Sequence, residues 1–287
     1  MSTELDPTWS ALVDDAAIFP PGNAPLPEAT AAYAARDAEH GADNGAGLVG
    51  TFVLRDTDLP LVRGFGAPLS VVVTGGAGQI EGPAGLCRRL GLELAGLEIA
   101  LRDLDDLPGN ARRVTAAVDA ARAAGSLPEE TPVYVELPAE ASEHGWLGAA
   151  DEVAGAELRL KFRTGGLDAD AFPSVAMLAR WIDAALDRET AFKCTAGLHH
   201  AVRHQSEEDG LEHHGFLNIL LATRSAFDGA DAAGVEGVLA ETDGTVLAAR
   251  AREIGDDLAR TRRWFASFGS CSVEEPLADL RELGLVG

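Results

Sequence analysis

Eight apolar runs of strand length recur along the chain, separated mostly by stretches of helical period, and this rhythm limits the architectures open to it. The runs are "ALVDDAAIF" (11–19), "GLVGTFVLR" (47–55), "PLSVVVTGG" (68–76), "AGLEIALRD" (95–103), "PVYVELP" (132–138), "LRLKFRTGG" (158–166), "AFKCTAGLHH" (191–200) and "WFASFGSCS" (264–272). Helices are expected over 28–41, 82–91, 110–125, 146–156, 174–189 and 274–285. Eight strands interleaved with helices in 287 residues, with no linker-like segment, imply one domain over 1–287, a single (β/α)8 TIM barrel with eight parallel strands. An open doubly wound sheet would be marked by GxGxxG after the first strand, and none is present. After the seventh run the rhythm loosens into a histidine-rich loop and an extra helical segment at about 199–263, in which "HGFLNILLATRSAF" and two further helical stretches are expected.

Side chains alternate faces along a strand, so the charged residues within these runs can be assigned a direction. In "LRLKFRTGG" Leu158, Leu160 and Phe162 share the face that packs on helices, leaving Arg159, Lys161 and Arg163 to face the barrel or its mouth. The same alternation turns Lys193 and Thr195 inward, with Tyr134 and Glu136 of the fifth strand. Of the pair Asp14–Asp15 only one can point inward, and Asp15 is the candidate. Polar groups at the C-terminal ends of barrel strands mark an active site. Adjacent buried cations require anionic partners, or a lysine that gives up its proton.

Lys161 and Lys193 are the only lysines, against 21 arginines. Arginine serves a structural ion pair at least as well as lysine, whereas lysine alone can lose its proton and become a nucleophile or base. A second cation nearby favours that loss. The pair therefore points to catalysis.

Composition narrows the partners. A formal charge of −23 repels phosphate backbones and anionic lipid, so neither nucleic acid nor a membrane surface is an expected partner. No stretch approaches 18 uninterrupted apolar residues, and the opening "MSTELDPTWS" lacks the basic and apolar regions of a secretory signal. Three cysteines without a CxxC pair fit a reducing cytoplasm. Cys194 and Cys271 are expected to pack as small hydrophobes. A homo-oligomer is compatible with all of this.

The lysine-bearing strands resemble those of deoxyribose-phosphate aldolase and its class I relatives. "KFRTGG" is similar to that family's Lys-Thr-Ser-Thr-Gly run at Lys161, Thr164 and Gly165, and "FKCTAGL" to its Val-Lys-Ala-Ser-Gly-Gly-Ile run at Lys193 and Gly197. "FGSCS" is similar to the Gly-Thr-Ser-Ser run after the eighth strand, at Gly269, Ser270 and Ser272, and Glu136 resembles the glutamate ending the fifth. The resemblance covers about 131–200 and 264–284. It implies a Schiff base between Lys161 and a small carbonyl substrate, with Lys193 lowering its pKa and helping to move protons. It also implies an anionic group such as a phosphate held by Ser270, Ser272 and the amides that open the last helix. No cofactor is implied. The family's acidic proton-relay residue on the fourth strand has no clear equivalent, Glu98 being the nearest. Arg163 departs from the family by replacing a small polar residue, which suggests an extra anion, such as a carboxylate, close to the reacting carbon.

The chain also leaves the pattern at His199 and His200, which adjoin Lys193 and are candidates for acid–base work in a mobile loop. On a helix, His200 and His204 could ligate one divalent metal, which defines the alternative of a metal-dependent barrel lyase or hydrolase. A non-catalytic barrel that binds a small anion is the third reading.

Overall fold

The computed structural model describes residues 5–38 and 45–287. The end of the helix expected over 28–41 and the first four residues lie outside that range. Seven parallel strands, β1 (Val13–Asp15), β2 (Val49–Arg55), β3 (Leu69–Val73), β4 (Leu94–Ala100), β5 (Val133–Glu136), β6 (Arg159–Arg163) and β7 (Phe192–Thr195), are followed by a hairpin of β8 (His204–Gln205) and β9 (Glu212–His213). The last strand, β10 (Phe265–Ser270), pairs with both β7 and β1 and so closes the barrel in the order β1-β10-β7-β6-β5-β4-β3-β2. This is the (β/α)8 barrel expected from the strand rhythm.

Helices α1 (Leu26–Ala38), α2 (Glu81–Leu90), α3 (Leu107–Ala123), α4 (Glu143–Gly155) and α5 (Val175–Asp187) cover the outside, with α6 (Phe216–Phe227), α7 (Ala232–Ala240), α8 (Gly244–Ile254) and α9 (Asp256–Thr261) between the hairpin and β10, and α10 (Glu274–Glu282) after it. Between β2 and β3 the chain makes only a short 3-10 segment, Asp56–Leu61, with Pro60 inside it, where the missing amide proton disfavours a longer helix. Asp106, Ser142, Ser174, Asp231 and Asp243 cap α3, α4, α5, α7 and α8 by accepting from first-turn amides, each cap contributing about 1 kcal/mol. No described helix is long and apolar enough to cross a membrane.

The outer faces of the strands carry the aromatic packing that the alternation predicts. Phe162 stacks on Phe192 at 4.7 Å between ring centroids, and Trp181 joins Phe162 to Trp146. On the neighbouring strand Phe268 of β10 stacks on Phe216 of α6 at 4.8 Å. Helix α6 is buried on nearly every side from Phe216 to Ser225. A helix without a solvated face needs a second layer, and α7, α8 and α9 supply it, three helices where the sequence suggests two. Buried hydroxyls on α6 are satisfied within the helix: Thr223 donates to the Ile219 carbonyl and Ser225 to that of Leu221.

At the N-terminal end of the barrel one side chain bridges two segments. Arg262, just before β10, donates to the carbonyls of Thr8, Ser10, Ala11, Phe265 and Ala266. It thereby ties the approach to β1 to the start of β10, the seam where the sheet meets itself. Burial pulls its pKa down to about 10, with Asp14 and Tyr134 opposing. Replacing it orphans several carbonyls at once, so Arg262→Leu is expected to lower unfolding free energy in urea by about 3 kcal/mol. The exposed neighbour Arg263, which lies over the Trp264 ring, should cost under about 1 kcal/mol when changed to Leu.

Candidate active site

Register brings the two lysines together. Lys161 and Lys193 are direct partners across the β6–β7 ladder, and Glu136 of β5 is the partner of Lys161 on its other side. All three side chains project into the barrel, as period-2 alternation requires. One residue the sequence marks only weakly lies between the lysines. The Glu98 carboxylate, on β4, accepts from Lys161 through Oε2 at 2.7 Å and from Lys193 through Oε1 at 2.7 Å. Ser70 of β3 donates to Oε1 of Glu98 at 2.6 Å.

From this centre the charges alternate outward. Lys193 also donates to Asp14 Oδ2 at 2.6 Å, and Asp14 is held by Ser267 Oγ at 2.6 Å and Thr51 Oγ1 at 2.7 Å. Lys161 donates to Glu136 Oε2 at 2.9 Å, whose other oxygen accepts from Arg163 Nε at 2.8 Å. Three carboxylates, Asp14, Glu98 and Glu136, thus face three cations. The Tyr134 ring lies 5.2 Å from Lys193 Nζ, and its hydroxyl accepts from Arg159 at 3.0 Å. Lys161 and Lys193 are 5% and 2% exposed, so both ammonium groups depend on these partners.

Lys193 does pull the Lys161 pKa down, as expected of a second cation, but the net direction is the reverse. Burial does push both lysines down, but Glu136 and Glu98 outweigh it at Lys161, and Asp14 and Glu98 outweigh it at Lys193, so both stand above the usual lysine range. Glu98 mirrors this: burial would raise it, yet the two ammonium groups hold it well below the usual carboxylate range. Glu136 is lowered likewise by Lys161 and Arg163 against its own burial. The free protein therefore rests with both lysines charged.

The remaining candidates divide into those beside the lysines and those elsewhere. Asp14 takes the inward place expected of Asp15. Asp15 instead pairs with Arg36 at 3.1 Å and accepts from the Ala17 amide, and burial raises its pKa. Thr164 stitches the ends of β6 and β7: its amide donates to the Thr195 carbonyl and its hydroxyl to that of Ala196 at 2.7 Å. Gly165 and Gly197 cross at this stitch. A Cβ on Gly165 would sit 2.7 Å from the Gly197 Cα, and Gly197 has φ +72°, so only glycine fits the pair without strain.

Ser270 and Ser272 are committed to their own loop, with Ser270 Oγ accepting from the Ser272 amide and Ser272 Oγ from that of Glu275. His199 bonds Glu275 at 2.9 Å and lies 3.6 Å from Cys271 Sγ, while His200 bonds Asp279 at 3.1 Å, so both histidines are turned toward α10. That bond to Asp279 raises the His200 pKa.

His204 lies on the β8–β9 hairpin and not on a helix, so the i, i+4 relation to His200 does not form. Their rings still meet edge-on at 4.7 Å, and His204 pairs with His213 across the hairpin. Among the described residues no group of three or more His, Cys, Asp or Glu side chains is placed to hold a metal. His214 is structural: burial lowers its pKa to about 4, its Nε2–H donates to the Pro173 carbonyl and its Nδ1 accepts from Arg203. Cys194 is fully buried against the helices.

Ser70, Ser267 and Thr51 escape a reading of the sequence that looks for clusters. The available signal is a lone polar residue in an apolar strand, as with Ser70 in "LSVVV" and Glu98 in "LAGLEIA".

No protein-family model matches the chain, and no curated protein matches it. Among solved structures it is similar to a deoxyribose phosphate aldolase from Aeropyrum pernix, described as having a unique tetrameric structure, at 15% identity and a TM-score of 0.55 over 96% of this chain and 93% of that one. That likeness is one of fold, a closed (β/α)8 barrel.

Because Glu98 is shared, its removal takes one of two carboxylate partners from each lysine and leaves the buried network one negative charge short. Glu98→Gln is expected to cost about 3–5 kcal/mol near neutral pH, read from urea unfolding. A carboxylate whose folded pKa is depressed contributes stability above its ordinary value of 4.5, and that contribution fades as pH falls toward the folded value. The gap between wild type and Glu98→Gln should therefore be full at neutral pH and shrink below pH 4.5.

Proposed function

We propose that the chain is a Schiff-base lyase acting on a small carbonyl compound, with Lys161 as the nucleophile and Lys193 as its proton-handling partner. One observation carries the reading: two buried lysine ammonium groups share a single carboxylate, Glu98, inside the barrel. Arginine would satisfy such a network as well, and lysine differs from it in being able to release a proton and attack a carbonyl.

The choice of Lys161 rests on its surroundings. Lys193 is enclosed by Asp14, Glu98 and the Tyr134 ring. Lys161 leans instead toward Glu136 and, through it, toward Arg163, whose side chain is 45% exposed. A substrate entering from that side meets Lys161 first.

The reaction follows from the contacts. The Lys161 ammonium hands one proton along its existing hydrogen bond to Glu98 or Glu136, and the neutral amine forms a C–N bond to the substrate carbonyl carbon. The resulting carbinolamine takes up a proton on its hydroxyl and loses water to give an iminium ion. Cleavage of the bond between the α and β carbons sends the bonding pair toward the iminium to give an enamine, while a carboxylate accepts the proton of the β-hydroxyl, whose carbon leaves as a carbonyl. Lys193, joined to the same Glu98, returns a proton to the enamine carbon, and hydrolysis frees Lys161. The carboxylates that keep the lysines charged at rest are thus the acceptors for the proton that must leave.

The test is reductive trapping. Incubation with small aldehydes, ketones and 2-oxo acids in the presence of borohydride, followed by peptide mass spectrometry, should place a stable adduct on the Lys161 peptide. Lys161→Arg should abolish it, and Lys193→Met should slow its formation by about 10²–10⁴-fold. Absence of adducts at both lysines across the panel would sink the reading, and an adduct confined to Lys193 would reverse the roles.

A further inference from the structure

We infer that the substrate is a small 2-oxo acid without a phosphate, its carboxylate seated on Arg163 and its carbonyl carbon at Lys161. This rests on the imine reading above and adds the class of substrate.

The first argument is that the place where a distal anion would sit is filled by the chain itself. Three amides around the start of α10 have acceptors within the loop. Ser272 N–H donates to Ser270 Oγ, Val273 N–H to Glu274 Oε2 and Glu275 N–H to Ser272 Oγ. Ser272 Oγ donates to the same Glu274 oxygen, and Arg36 holds the other at 3.3 Å. The Glu274 carboxylate therefore stands where a phosphate would, with Glu275 and Asp279 further along the helix, engaged by His199 and His200. A dianion brought here would displace a carboxylate already satisfied and face two more, which like-charge repulsion disfavours.

The second argument is that a different cation is available, and its position sets the length of the substrate. Arg163 Nε is bound to Glu136, Nη1 is 3.5 Å from the Gly165 carbonyl, and Nη2 has no partner among the described residues. The guanidinium can offer its free edge to a carboxylate, for which its planar fork is suited. Arg163 follows Lys161 by two residues on the same face of β6, roughly 6.5 Å along the strand, and Glu136 bridges the two. An anion held there lies next to the carbon that Lys161 attacks. A carboxylate directly bonded to the carbonyl carbon meets that spacing.

Three probes separate the possibilities: pyruvate, the uncharged ketone hydroxyacetone, and dihydroxyacetone phosphate, each trapped with borohydride over a concentration series and read by intact mass and peptide mapping. The expected half-saturation for labelling Lys161 is at least about tenfold lower for pyruvate than for the other two, the worth of one charge-assisted contact. Arg163→Gln should collapse that ratio to less than about threefold, and Arg163→Lys, which keeps the charge but not the fork, should fall between. Circular dichroism confirms that each variant is folded. Labelling by the phosphate probe at lower concentration than pyruvate, or a pyruvate preference that survives Arg163→Gln, overturns this inference while leaving the imine reading intact. Absence of any adduct overturns the imine reading and this inference with it.

Discussion

The carboxylate of Glu98, held between two ammonium groups 2.7 Å away on either side, is the contact on which the rest of this barrel interior depends. Each lysine has a second carboxylate, Glu136 or Asp14, but Glu98 alone touches both, and its own buried charge is held by the two ammonium groups. Each further partner follows from satisfying this core: Asp14 completes Lys193, Glu136 completes Lys161, and the hydroxyls of Ser70, Ser267 and Thr51 occupy the carboxylate oxygens that face the sheet. The result is a neutral chain of alternating charge running from β1 across to the exposed end of β6.

The fold makes this arrangement possible by separating two tasks along each strand. On β6, Leu160 and Phe162 face helices and contribute to the apolar shell, while Lys161 and Arg163 face the interior. Parallel register then sets Glu136, Lys161 and Lys193 side by side without any loop having to position them. The close crossing of Gly165 and Gly197 and the Thr164 stitch hold the strand ends that carry the lysines. Arg262 ties the approach to β1 to β10 at the opposite end, where burial of its charge is offset by five carbonyls. Rigid strands, more than loops, therefore hold the groups proposed to do the chemistry, which suits a mechanism that depends on proton positions.

Much of this is legible in the sequence because strand periodicity is a local property. The alternation in "LRLKFR" and "AFKCT" suffices to turn the two lysines inward, and eight strand-like runs suffice for the barrel. What is not legible depends on distance in sequence. Which of Asp14 and Asp15 faces Lys193 is decided by how β1 pairs with β10, and the role of Glu98 by closure across strands over sixty residues apart. A like-charge argument made from Lys161 and Lys193 alone gives the wrong direction for their pKa values, because the carboxylates that outweigh it come from β1, β4 and β5. The histidine segment misleads for a related reason: the spacing of His200 and His204 suits a helix, but the chain there forms a hairpin whose partners are set by His213.

The presence of only two lysines makes the central contact directly observable. Selective 15N-lysine labelling yields one Nζ signal from each, and NMR across pH then reports the charge of both. The account predicts two signals of protonated ammonium in the free protein, slow to exchange, with neither titrating between about pH 6 and pH 10. Glu98→Gln should move both. A wild-type lysine signal that titrates to the neutral amine within that range, or a Glu98→Gln spectrum in which only one signal shifts, would contradict the shared carboxylate as the organising interaction.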